Sequence, residues 1–302
     1  MSTNNTQLIS AEKYDTSSMI FSDPQEGSVP GNGPAISFSR INIQTRNPDG
    51  TIGELVMPTT RLFSFGVSEN KNNETGKVNG WTLPLCLWSR DGATKEEKAW
   101  TETFDKIVEK CIDHIIQNKE ELDKFELERN DLKKFNPLYW KKEKRMVNGK
   151  QQLCVVDGVG PTLYTKLIYS KKNNSFITIF RDVDGNEIDP LDMIGKYCFA
   201  TSAIKIESIF IGNKISLQVK LYETIVEPVQ QGVKRLLRPV AQTTVTQDFR
   251  EKSDFMTTNP MNDDESDNGS ILNDEEENEE GIPSQVKVIK KKVVVRKTVA
   301  KK

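Results

Sequence analysis

The stretch 197–226, YCFATSAIKIESIFIGNKISLQVKLYETIV, constrains the fold more than any other part of this chain. Two runs rich in β-branched and aromatic residues flank Gly212-Asn213, a dipeptide suited to a tight turn with positive φ. On the first run Ile204, Ile206, Ser208 and Phe210 alternate with Lys205, Glu207, Ile209 and Ile211. On the second, Ile215, Leu217, Val219 and Leu221 alternate with Ser216, Gln218, Lys220 and Tyr222. Period two over this length describes an antiparallel hairpin with one face in a core and the other in water. A helix would space its apolar residues three and four apart.

The flanking sequence supplies more strands. ISFSRINIQT at 36–45 ends at the turn cluster Asn47-Pro48-Asp49-Gly50. Short strands are expected at 51–57 and 60–67, followed by a loop over 68–80. The apolar run 81–88 contains Pro84, which demotes it to an edge strand or an extended segment. Thr94 and Glu97 form a capping box, and Trp100, Phe104, Ile107, Cys111, Ile112 and Ile115 follow at helical spacing. A second, more exposed helix is expected over 119–135. Strands then return at 151–156, 163–169 and 176–181. The fold class is mainly β: an OB-like antiparallel barrel over 35–228 with a helical insertion at 94–135. Residues 1–34 are expected as a flexible arm and 229–302 as a disordered tail.

The net charge of −2 conceals a segregated tail. Ten acids and no base lie in 263–280, and eight bases and no acid in 287–302. Such an acidic run can mimic phosphate or dock on basic proteins, while the valines of the basic end can pair as a strand. The four cysteines, Cys86, Cys111, Cys154 and Cys198, sit apart in apolar runs and suit a reducing compartment. No apolar stretch approaches the ~20 residues of a membrane span, and the polar N-terminus does not resemble a signal peptide. A soluble intracellular protein with no membrane partner is expected.

Catalytic chemistry has little support. His114 is the single histidine, on the polar shoulder of the predicted helix. It leaves no common zinc pattern and no flanked nucleophile system. No phosphate-binding glycine loop is present. The DVDGN run at 182–186 fails the calcium-loop spacing and reads as a turn. No enzyme activity, cofactor or metal is expected.

Binding unpaired nucleic acid requires cations beside flat aromatic faces. Three stretches carry both. The first is Tyr139, Trp140, Lys141, Lys142, Lys144 and Arg145. The second is Tyr164, Lys166, Tyr169, Lys171 and Lys172, with Tyr164 and Lys166 on one strand face and Tyr169 on the other. The third is Phe176, Phe180 and Arg181. Trp81 and Trp88 read as buried.

The run 195–228, GKYCFATSAIKIESIFIGNKISLQVKLYETIVEP, resembles a single-stranded-DNA-binding protein family of the nucleocytoplasmic large DNA viruses. The resemblance implies an OB-fold distantly similar to a phage replication protein. It also implies binding of single-stranded DNA in viral replication, recombination or repair. The expected places are the cytoplasmic viral factory or the nucleus of an infected cell, or the virion. The phage protein binds replication partners through an acidic end carrying an aromatic. Here the acidic run is internal and the basic end has no aromatic, so docking of replication proteins on the tail departs from that pattern. Self-association stays open. The alternative is a virion structural or interaction protein that touches no nucleic acid.

Overall fold

A computed structural model describes residues 5–29, 36–72, 75–147 and 150–229. The acidic run 263–280, the basic end 287–302 and the rest of the expected disordered tail from residue 230 lie outside the described residues, as does Asn148-Gly149, a dipeptide suited to a tight turn. The principal strands are β1 (Ile36–Arg46), β2 (Ile52–Pro58), β3 (Leu62–Ser64), β4 (Ser68–Lys71) and β5 (Val78–Cys86). After helix α1 (Lys95–Gln117) come β6 (Lys142–Val147), β7 (Lys150–Val155), β8 (Thr162–Leu167), β9 (Ile179–Arg181), β10 (Cys198–Ile211) and β11 (Ile215–Pro228).

Five strands close a barrel. β10 pairs with β3, β3 with β5, β5 with β8, β8 with β11, and β11 returns to β10. Of these five pairings only β8–β11 is parallel. Numbered by chain order within the ring, the barrel strands run first, second, third, fifth, fourth, which is an OB-like arrangement. Closure leaves none of the five with a free edge along its paired length.

The β10–β11 hairpin is the wall on which this closure depends. It buries Ile204, Ile206 and Ile209 opposite Leu221, Val219 and Leu217. Its alternation is not continuous. Register shifts at Ala203/Ile204 and Ile206/Ser208 interrupt it. A bulge adds a residue and bends the strand, so beyond it Ser208, Ile209 and Ile211 are buried while Phe210 stacks on Phe38. The bend lets β10 pair with β2 through Ala203–Ile206 and with β3 through Cys198–Ala200. The turn spans 212–214 without positive φ, unlike the expected Gly-Asn geometry.

Three other expectations change. Pro84 does not mark an edge: it pairs with Tyr164 inside the barrel wall. Leu87 N–H donates to the Pro161 carbonyl at 3.0 Å, so N–H groups at 87, 85 and 83 point to β8. The missing N–H of Pro84 therefore faces the break between β3 and β4, where no ladder bond is needed. The expected loop at 68–80 contains β4, which pairs with β5. Residues 119–135 form turns and a short 3-10 helix at Arg129–Leu132 in place of a second α-helix.

The expected flexible arm also differs over 5–29. Gln7–Leu8 adds in parallel to β2, and Met19–Phe21 and Gln25–Val29 add antiparallel to β1. Extra strands gain backbone hydrogen bonds without needing an apolar period, so this polar stretch gave no sign of them.

α1 begins as expected. Thr94 Oγ1 accepts from Glu97 N–H at 3.1 Å, and Glu97 Oε2 accepts from Thr94 N–H at 2.8 Å. Its inner face places Trp100, Phe104, Ile107, Cys111 and Ile115 in one core with the barrel residues. His114 is half-buried, stacked on Phe21 with ring centroids 4.0 Å apart.

Candidate nucleic-acid interface

β8 alternates cleanly. Leu163, Thr165 and Leu167 point into the barrel, and Thr162, Tyr164 and Lys166 point outward. Tyr164 and Lys166 thus share the outer face, with Tyr169 in the opposite phase. Tyr139 lies beside Thr162 and meets Tyr164 edge-on, ring centroids 6.5 Å apart. The two rings are 60% and 50% exposed, which leaves faces open to a ligand. Burial, then Tyr139 and Cys86 nearby, raises the Tyr164 hydroxyl above its usual range, so it stays neutral at pH 7.

Following the ladder away from Tyr139 gives a row of outward positions: Thr162, Cys86, Phe63 and Phe199. The next outward row runs from Tyr164 to Pro84, and Phe65 and Tyr197 continue it just past the paired Ser64 and Cys198. Phe63 touches Phe65, Tyr197 and Phe199 edge-on at centroid distances of 5.3, 5.8 and 5.9 Å. Phe65 and Tyr197 are 46% and 44% exposed. The Arg61 guanidinium lies 3.6 Å from the Phe199 ring centroid and pairs with Glu227. A band in two aromatic parts therefore lies on the outer wall, Tyr139 and Tyr164 at β8 and the Phe63, Phe65, Tyr197 and Phe199 group on and beside β3 and β10, with Cys86 and Pro84 of β5 between them. At about 4.8 Å between strands it covers roughly 15 Å of curved wall.

Beside this band, lysines occupy matching positions on three adjacent strands. Lys166 on β8 registers with Lys220 on β11, which registers with Lys205 on β10. Lys166 Nζ donates to Gln218 Oε1 at 3.1 Å. Glu207 bridges Lys220 at 2.8 Å and Lys205 at 3.3 Å, and Glu54 takes Lys205 at 2.7 Å. Burial alone would raise the Glu207 carboxyl, but Lys220, with Lys205 and Arg40, holds it below the usual range. Burial opposes the charge on Lys205, and Glu54 and Glu207 outweigh it, so that ammonium is held above its usual value. Lys166 goes the other way. Burial first, and Lys220 second, push its pKa down to about 8 against the pull of Glu207.

The predicted residues divide unevenly. Tyr139 and Tyr164 are exposed together, with Lys141, Lys142 and Lys144 exposed on the adjoining segment. Lys166 shares the wall but is largely buried. Trp140 is half-buried and packs edge-on against Trp88 at 5.4 Å, so it is mainly a packing residue. Trp88 is anchored by its Nε1–H to Thr101 Oγ1 at 3.0 Å. Gly160 permits this packing, since a Cβ there would lie 2.4 Å from Trp88. Arg145 is bound by Glu143 and by Asp157 at 2.7 Å, which raises its pKa. Phe180 is a core residue at 1% exposure and cannot stack on a base. Arg181 is exposed with Glu187 at 3.9 Å. Lys171 and Lys172 lie on an exposed turn beyond the far end of β8. Trp81 is half-buried against Tyr169 and Phe176.

The sequence reading missed Phe63, Phe65, Tyr197, Phe199 and Arg61. Phe63/Phe65 and Tyr197/Phe199 are each spaced by two and so share a strand face, a visible signal. That the two pairs meet depends on β10 folding back onto β3.

A family model described as "Protein of unknown function (DUF2738)" matches residues 12–270. "Uncharacterized protein 007R" of Invertebrate iridescent virus 3 is 27% identical over 176 residues, covering 57% of this chain and 36% of that protein. "Early 31 kDa protein" of Frog virus 3 (isolate Goorha) is 28% identical over 182 residues, covering 59% of this chain and 66% of that protein. The matched region thus spans about a third of one relative and just under two thirds of the other. Neither name specifies a ligand or an activity.

Proposed function

We propose that this chain, which belongs to the DUF2738 family, binds single-stranded DNA without catalysing a reaction and serves replication, recombination or repair of a large viral genome. The carrying observation is the band of outward rings, of which Tyr139, Tyr164, Phe65 and Tyr197 each expose about half their surface. Unpaired bases stack on such rings for roughly 1–3 kcal/mol each, whatever their sequence. Lys141, Lys142 and Lys196, exposed and close in sequence to Tyr139 and Tyr197, supply charge for phosphates, while Arg61 on the Phe199 ring is paired with Glu227. A duplex hides its base faces and should bind less well.

The test is a fluorescence titration with oligo-dT at low and moderate salt. Binding should weaken as salt rises. Replacing Tyr139 and Tyr164 together with alanine should cost about 10- to 100-fold, from one to two stacking contacts. Both rings stand outside the core, so circular dichroism should be unchanged. Absence of binding at low salt refutes the proposal.

A second reading, an interaction protein of the virion, draws on the β6–β7 ribbon. Among the described residues it pairs only with itself, and it carries Met146, Leu153 and Val155 exposed on one face with Lys142 and Lys144. Unchanged affinity in the tyrosine variant, with loss of a protein partner on ribbon substitution, would favour it.

A further inference from the structure

A groove of about 500 Å³ opens near the end of β5 and β8 remote from Tyr139. Trp81, Tyr169 and Phe176 meet one another at centroid distances of 4.9 to 5.1 Å and make its aromatic base. Ile177 and Ile179 add exposed apolar surface. Glu187 and Asp189 stand on its rim, and among the described residues no lysine or arginine lines it. The adjoining stretch 181–192 contains five acids and one base, against the two exposed lysines, Lys171 and Lys172, of the turn on the other flank. A phosphate chain would be repelled here, so the groove is a poor extension of the aromatic band. It suits an extended peptide bearing apolar side chains among many cations.

We infer that this groove receives the chain's own terminal segment 287–302, whose eight bases and no acids are interspersed with valines, among them Val288, Val293, Val294, Val295 and Val299. The complementarity is both electrostatic and apolar. The segment can reach. Residue 229 is the last described, and 57 residues separate it from Lys287. A random coil of 57 residues would have a root-mean-square span of roughly 40 Å, about the diameter expected of a domain of this size. Its effective local concentration is on the order of 1 mM, enough for a weak contact to persist within one molecule. Docking would keep the basic end away from phosphates and leave the acidic run 263–280 tethered at both ends. The inference does not depend on the nucleic-acid proposal, since the groove and the band are separate surfaces.

Hydrogen-exchange mass spectrometry on the full chain tests it. The comparison is the wild type against a tail variant with Lys290→Glu, Lys291→Glu and Lys292→Glu, and a rim variant with Glu187→Lys and Asp189→Lys. Glu187 and Asp189 lie outside the barrel core, and because Asp189 accepts from Leu191 N–H at 2.9 Å, the rim variant alone is the baseline for the combined one. Exchange over 175–191 should be about tenfold faster in the tail variant. The combined variant, with both charges reversed, should regain protection. The inference is overturned if wild type and tail variant exchange alike over 175–191. It is also overturned if protection disappears on dilution, which would place the contact between two copies. If the tail variant loses protection and the combined variant does not regain it, pairing of these lysines with Glu187 and Asp189 is overturned.

Discussion

Lys166→Met tests the electrostatics of the outer wall directly. Lys166 carries a pKa of about 8 in the folded protein, against an ordinary value of 10.5. Below pH 8 the lysine is charged whether the chain is folded or not, and the folded state bears the whole cost of its partial desolvation. At about 1.4 kcal/mol per pH unit, that cost is about 3 kcal/mol. Between pH 8 and 10.5 the unfolded chain binds more protons than the folded one, so this group makes stability rise with pH. Above 10.5 both states are neutral and the cost is gone. Methionine fills similar volume without a charge. It also removes the hydrogen bond to Gln218, worth about 1 kcal/mol at that largely buried amide. The variant should therefore be more stable than wild type by about 2 kcal/mol at pH 7. Near pH 11 it should be less stable by about 1 kcal/mol. Urea unfolding of both proteins at the two pH values measures this. An equal difference at both would refute the assignment of a depressed, desolvated ammonium.

Gly66→Ala should destabilise by more than about 2 kcal/mol, because Gly66 has φ +87 and a Cβ would lie 2.4 Å from the Lys196 carbonyl oxygen. A thermal melt tests this, and a wild-type Tm would contradict the close approach of β3 to the chain before β10. Thr94→Ala should cost about 1 kcal/mol through loss of the capping box, read by urea unfolding. Burial, then Lys110, lowers the pKa of His114 from its ordinary 6.5. The unfolded chain then binds the extra proton first as pH falls, so stability should decrease below about pH 6.5. Because there is one histidine, a single imidazole resonance followed by NMR gives its midpoint, and a midpoint above 6.5 would be the wrong sign.

Much of the architecture was legible because it rests on local patterns. The β10–β11 hairpin, the amphipathic face of α1 and its Thr94–Glu97 box each follow from spacing within one segment. The outward pairing of Tyr164 with Lys166 also followed from the strand period. Segments that gain stability mainly from backbone pairing were not legible. The strands within 7–29 and the interior position of Pro84 show this, since neither depends on an apolar alternation of its own.

The candidate interface divides the same way. Composition pointed to rings and lysines near Tyr139 and Tyr164, and local period placed Tyr164 outward. Local pattern could not distinguish Phe180, buried in the core, from Phe65, open to solvent. Nor could it show that Trp140 would be used against Trp88, or that Glu143 and Asp157 would bind Arg145. Those outcomes depend on which distant segments become neighbours. Amino-acid order alone determined a mainly β chain with a long central hairpin, one well-capped helix and oppositely charged stretches near its end. Only the closure of five strands decided which aromatics share an outer surface and which lysine loses its water, because those properties arise from register between residues far apart in the chain.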